Sequence, residues 1–300
     1  MKGKKTRITL TDIVIMGCVL AGFACFIYRI NAGLHYKWNW GAIPQYLFRF
    51  DEDRGRWVPN LLMQGLFTTI RLSIWGTILA TIMGILFGLC RVSRSLFNRL
   101  LGGTYVEFIR NIPPLVLIFI FYYFISSQII PVLGVDEFIA SRSNSTHTVI
   151  EILFAPPPLF SAFMSALVTL ALFEGAYITE IVRAGVQSIE KGQWEASYSL
   201  GLSRWQQTRY IVLPQAIQRI LPPLAGQFIS TIKDSAMVSV ISIQELTFQG
   251  MELMAATYLI FETWITITVL YLILTLTLSV GVERLEIHMR RKMGSYRLSP

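Results

Sequence analysis

Five polar side chains stand where the surrounding sequence is almost entirely apolar. Glu174 lies within the run 159–182, nine residues before Arg183, and Gln227, Ser230, Lys233 and Asp234 lie within 215–243. At 1.5 Å per helical residue, Glu174 is expected roughly 13 Å from the basic end of its helix. A carboxylate at that depth in lipid is costly, so it marks either a functional position or a hydrogen bond to a neighbouring helix. Together the five groups could solvate a polar or charged solute passing between helices. Lys233 and Asp234 are adjacent, so on a helix they face different ways and do not simply neutralise each other. Other chemistry has no footing. There is no GxxxxGK[ST] phosphate loop, no HExxH and no GxSxG. His35, His147 and His288 are far apart, and Cys18, Cys25 and Cys90 sit in or at the end of apolar runs. That excludes a CxxC motif and a disulfide framework. No catalytic residue, metal or cofactor is expected.

A second constellation is local. Residues 189–214 read IEKGQWEASYSLGLSRWQQTRYIVLP, the longest polar interval in the second half of the chain. A helix is predicted over 193–200, closing at Gly201, a residue that takes the left-handed conformation without penalty. Glu195 then falls in the first turn, where the helix dipole favours a carboxylate. Ser203 with Gln206 forms a capping-box pair that starts a second short helix, and Pro214 is expected to stop it. Helix, tight turn and helix make a rigid object that a soluble partner could grip.

Glu195, Ala196 and Ser197, then Gly201, then Ile211, Leu213 and Pro214 resemble a known loop. ATP-binding-cassette (ABC) importer permeases carry Glu-Ala-Ala, three residues, Gly, nine residues, Ile, one residue, Leu-Pro. Ser197 stands where the family has its second alanine. The resemblance extends from residue 61 to about 290 and is to the polar amino acid branch. Gly175-Ala176-Tyr177, Glu180 to Gly185, Gly192 to Ala196, Leu213 to Ala216 and Lys233 to Ser235 carry it. It implies an all-α, type I importer permease fold in a bacterial inner membrane, with 183–215 as the ATPase-coupling loop. It also implies partners: a dimer of ATPase subunits that bind the ATP, a second permease subunit, identical or homologous, and an extracytoplasmic solute-binding protein. Glu174, Gln227, Ser230, Lys233 and Asp234 become candidates for the path of an amino acid, whose ammonium and carboxylate both need solvation. Such permeases usually have five spans, and this chain adds a helix and a long outer loop before them.

The elements that must position these groups are membrane helices. Of the 300 residues, 53% are hydrophobic, and mean hydropathy is +0.54. Runs of about twenty apolar residues account for this. Six spans are expected, at 10–30, 61–89, 105–127, 159–182, 215–243 and 258–282, with 244–257 as an outer half-helix. Asn111-Ile112-Pro113-Pro114 should break the third near its start, and Pro222-Pro223 should interrupt the fifth. Gly84 and Gly88 are spaced for close helix approach. Residues 31–60 read as a solvated loop with interfacial aromatics, and 126–158 as an irregular outer loop.

The net charge of +8 follows topology and gives no reason to invoke nucleic acid. Seventeen basic residues fall on the proposed cytoplasmic segments and six on the outer ones, which places both termini in the cytoplasm. The chain then divides into 1–60, a helix with an outer loop; 61–290, the permease domain; and 291–300, a tail. A secondary transporter of small polar solutes is the rival reading. It would usually show an internal repeat, and none is visible.

Overall fold

The computed structural model describes residues 10–33, 36–53 and 55–296. Lys2, Lys4, Lys5, Arg7, His35, Arg54 and Arg297 lie outside the described residues. The described residues form two compact units, one ending at Gly41 and one beginning at Ala42. The first contains helix α1 (Leu10–Gly33).

The second unit opens with α2 (Pro44–Leu47) and a two-stranded antiparallel ribbon, β1 (Phe48–Asp51) and β2 (Arg56–Pro59). Phe48 pairs with Pro59 and Asp51 with Arg56. The expected solvated loop is therefore partly a hairpin. Phe50 meets Trp57 edge-to-face at 5.7 Å between ring centroids, a cross-strand pair of the kind that stabilises short ribbons. Gly55 turns the chain at φ +58°. Asn60 fastens the hairpin to the next helix, its backbone amide donating to the Leu47 carbonyl at 2.9 Å and its side chain to that of Gln45 at 2.6 Å.

Helices α3 (Leu61–Val92), α4 (Leu96–Asn111) and α5 (Pro114–Phe124) follow. The double proline breaks the chain as expected. Ile112 is extended, and Pro114 occupies the first turn of α5, where its missing N–H costs no hydrogen bond. The segment before the break, expected to be a short piece, is the full helix α4, and the apolar stretch begins at Pro114, as a membrane helix starting after the break requires. Residues 126–158, expected to be irregular, largely fold into α6 (Ile130–Val132), α7 (Val135–Ala140) and α8 (Asn144–Leu153). Gly134 supplies a left-handed turn before α7, and Asp136 and Glu137 favour its N-terminus.

The remaining helices are α9 (Phe160–Gln187), α10 (Lys191–Ser199), α11 (Arg204–Gln206), α12 (Leu213–Asp234), α13 (Leu246–Thr257) and α14 (Ile260–Tyr296). Two proline expectations are corrected. Pro222 and Pro223 lie inside α12, which runs through them unbroken. A helix among protein neighbours can re-satisfy the carbonyls that a proline frees. Pro214 does not stop a helix but stands in the first turn of α12, after a widened π turn, Gln207–Val212, that leaves room for its ring.

Among the described residues, four stretches are long and apolar enough to cross a membrane: Leu61–Val92, Pro114–Val132, Pro157–Gln187 and Ile260–Arg284. The apolar part of α1, Leu10–Cys25, is shorter. α12 carries too many polar residues to qualify.

Helix α9 is the hub. Lipid is as apolar as leucine, so helices associate through close packing at small residues. A Cβ on Gly84 would lie 2.4 Å from Ile178 Cγ2, and one on Gly88 2.7 Å from Val182 Cβ. Helices α3 and α9 thus touch along the expected glycine spacing. Ala80, Ala171, Ile178 and Val182 fill this contact, and Leu72, Ile118, Phe163 and Leu170 form a core towards the other end of α9.

Candidate functional site

The local constellation folds as its sequence dictates. Helix α10 ends in a left-handed Gly201 at φ +74°. The Gly201 amide donates to the Tyr198 carbonyl at 2.9 Å, and the Leu202 amide to that of Ser197 at 3.2 Å. These two bonds make a Schellman close, which satisfies carbonyls the helix end would otherwise leave open. The Ser203–Gln206 capping box is complete: the Gln206 amide donates to Ser203 Oγ at 3.4 Å, and the Ser203 amide to Gln206 Oε1 at 2.8 Å. One expectation is corrected. α10 begins at Lys191, so Glu195 is exposed in mid-helix and outside the reach of the dipole at the first turn.

The remaining motif residues divide by exposure. Ala196, Gly201 and Pro214 are exposed; Ile211 and Leu213 are half-buried; Ser197 is buried, its hydroxyl donating to the Trp194 carbonyl at 2.8 Å. Only a small residue fits at Ser197, and a serine does so because its hydroxyl has a partner. Ile189, Val212 and Ala216, with Trp194 and Ile220 against them, anchor the loop to α9 and α12. Gln215 Nε2 donates to Gln193 Oε1 at 3.2 Å, and Arg219 bonds the Ser188 carbonyl. Outward from this anchor stand Tyr198, Leu200, Trp205 and Tyr210, each more than 60% exposed. Large apolar side chains this exposed on a rigid turn are what a protein partner covers.

Of the five path candidates, the structure gathers three. Glu174 is fully buried. Its Oε2 accepts from Gln227 Nε2 at 2.7 Å, and Thr231 and Asp234 lie beside its carboxyl. Glu174 Oε1 is buried and makes no hydrogen bond among the described residues. Two carboxyls facing each other with an unfilled acceptor form a place for a cation or a proton. Ser230 is half-buried without joining this group. Lys233 is exposed and diverges from Asp234, as adjacency requires, although its charge still acts on that carboxylate.

Two features escaped the sequence reading. Glu180 bridges Arg91 of α3 and Arg183, the latter at 2.7 Å, near the C-terminal end of α9. Its three-residue spacing from Arg183 was the available signal. Glu245 is fully buried and caps α13 through the Phe248 amide at 2.8 Å. It also accepts from Thr69 at 3.3 Å and Tyr271 at 2.9 Å, joining α3, α13 and α14. Thr69 and Tyr271 are distant in sequence, so nothing local announced it.

The family described as binding-protein-dependent transport system inner membrane component matches residues 76–291. The chain belongs to this family. It is therefore a multi-pass inner-membrane permease subunit of an ABC importer, not an enzyme, and its family works with an ATPase and a second permease. The chain is 36% identical over 259 residues to the glutamine transport system permease protein GlnP of Escherichia coli (strain K12), covering 86% of this chain and 99% of that protein. It is 30% identical to the probable glutamine ABC transporter permease protein GlnM of Bacillus subtilis (strain 168), covering 77% and 94%. The crystal structure of an amino acid ABC transporter with histidines superposes with a TM-score of 0.64 at 29% identity, covering 84% of this permease and all of that chain.

Proposed function

We propose that this permease imports a polar amino acid, with glutamine the first to test because similar permeases are named for it. The reading rests chiefly on the rigid turn between α10 and α11, fixed by Gly201 and carrying an exposed apolar patch on a loop anchored to α9 and α12. An ATPase dimer grips this turn from the cytoplasm. Its closure on ATP moves α10, and α9 and α12 carry the motion to the Glu174–Asp234 pair. A second permease, identical or homologous, completes the path, and an extracytoplasmic binding protein feeds it. Six spans with both termini in the cytoplasm fit the basic-residue bias, with 61–290 as the permease domain and 183–215 as its coupling loop.

Glu174, Gln227 and Asp234 take the substrate's ammonium, while Ser230 and Lys233 line the path further along. Co-purification from membranes tests the reading. The expected result is a stoichiometric ATPase subunit and ATP-dependent uptake of labelled L-glutamine by proteoliposomes. Uptake driven by an ion gradient without ATP would contradict it.

A further inference from the structure

The end of the permease away from the coupling loop holds a cavity of about 490 Å³ that no function yet absorbs. It is walled by β2 of the hairpin, the start of α3, the end of α8 and the start of α13. A volume of this size holds an amino acid with some water. Its polar lining has a definite pattern. Arg71 lies ten residues into α3, roughly 15 Å along the helix, and is half-buried. Its Nη1 donates one long bond, 3.4 Å to the Phe154 carbonyl, and the charge of Glu151 acts on it. Arg56 of β2 adds a second guanidinium. Gln249 is 6% exposed, lines the same space, and makes no side-chain hydrogen bond among the described residues.

A guanidinium within an apolar, membrane-crossing stretch and with one long hydrogen bond is a functional position by default. The charged residues lining the cavity are Arg56, Arg71 and Glu151; Arg56 stands opposite Asp51 in the ribbon, so Arg71 is the group placed to hold an anion, and a planar guanidinium matches a carboxylate in bidentate fashion. We propose that this cavity is an outer binding site for an α-amino acid zwitterion. Arg71 holds the α-carboxylate, Glu151 faces the ammonium and Gln249 meets the side chain. The identity of the ligand rests on the import reading above; the carboxylate specificity rests on the cavity itself. The hairpin of residues 48–59 then has a role: it closes one wall and brings Arg56 to the site.

Thiol protection tests this in the complex with its ATPase, in lipid nanodiscs. Cys18, Cys25 and Cys90 are replaced by serine and Thr68, which lines the cavity, by cysteine. L-glutamine should slow modification by a charged thiol reagent at a concentration at least tenfold lower than its methyl ester needs. Arg71→Gln should abolish that preference for the free acid, and Arg71→Lys should keep it. A residue that merely tied α8 to α3 would not affect the preference. Equal protection by acid and ester, or a preference that survives Arg71→Gln, would overturn the site. Uptake without protection would also overturn it while leaving the import reading intact. Protection without ATP-dependent uptake would support the site and overturn the import reading.

Discussion

The middle and the C-terminal end of α9 are built on opposite terms. The middle is mostly buried, packed through Gly84 and Gly88 of α3, and holds one carboxyl with an unfilled oxygen. The end meets Arg91 through Glu180 and leads into a loop whose apolar side chains point outward, uncovered. Rigidity in the first region comes from close packing and in the second from hydrogen-bonded turns. One helix joining them can transmit a push at the loop to the buried pair without bending, because interlocked glycine contacts resist sliding. The same contrast separates α9 from α14. Both carry a stretch long and apolar enough to cross a membrane, yet 61% of the first is buried against 6% of the second. Both helices carry a fully buried acid, Glu174 and Glu262, so what sets α9 at the centre is its close contact with the glycines of α3.

The largest expected effect is on the packed region. Gly84→Val forces its side chain into Ile178 and should destabilise the helix pair by about 3 kcal/mol, read as a lower melting temperature and poor yield in detergent. An unchanged melting temperature would remove the rigid contact from the comparison.

Glu174→Gln comes next. Glutamine can still accept from Gln227, so the complex should assemble and hydrolyse ATP. Uptake of L-glutamine should fall by about tenfold, the equivalent of 1.4 kcal/mol lost from a charge interaction. Normal uptake, or a complex that falls apart, would make the buried pair structural.

The smallest effect belongs to Ser197. Ser197→Ala restores the family residue and removes only a bond to the carbonyl three residues back. Stability and transport should stay within about 0.5 kcal/mol of the parent. A large loss would mean that the Ser197 hydroxyl acts on the partner.

The turn between α10 and α11 was legible because its signals are local. A glycine at positive φ, a Ser-x-x-Gln pair and a small residue at Ser197 each fix geometry within a few residues. The break at Pro113-Pro114 was legible for the same reason. Pro222 and Pro223 misled because neighbours decide whether a helix survives a proline, and neighbours are not visible in a sequence window. The pairing of Glu174 with Asp234 and the capture of Glu245 by Thr69 and Tyr271 depend on helices meeting across long separations. Polarity at depth marked Glu174 and Asp234 individually; only the fold shows that they face each other. The hairpin at 48–59 escaped because four-residue strands give too short an alternation to read.

The most direct test of coupling through a rigid turn uses two substitutions at Gly201. A Cβ there meets nothing within 4 Å, so only the backbone angle of φ +74° is at stake. Asparagine tolerates that angle and valine does not. In proteoliposomes carrying the assembled complex, L-glutamine transported per ATP hydrolysed should be close to the parent value for Gly201→Asn. For Gly201→Val it should be at least tenfold lower, with the ATPase still bound. Equal coupling in both variants would contradict a mechanism that works through the shape of this turn.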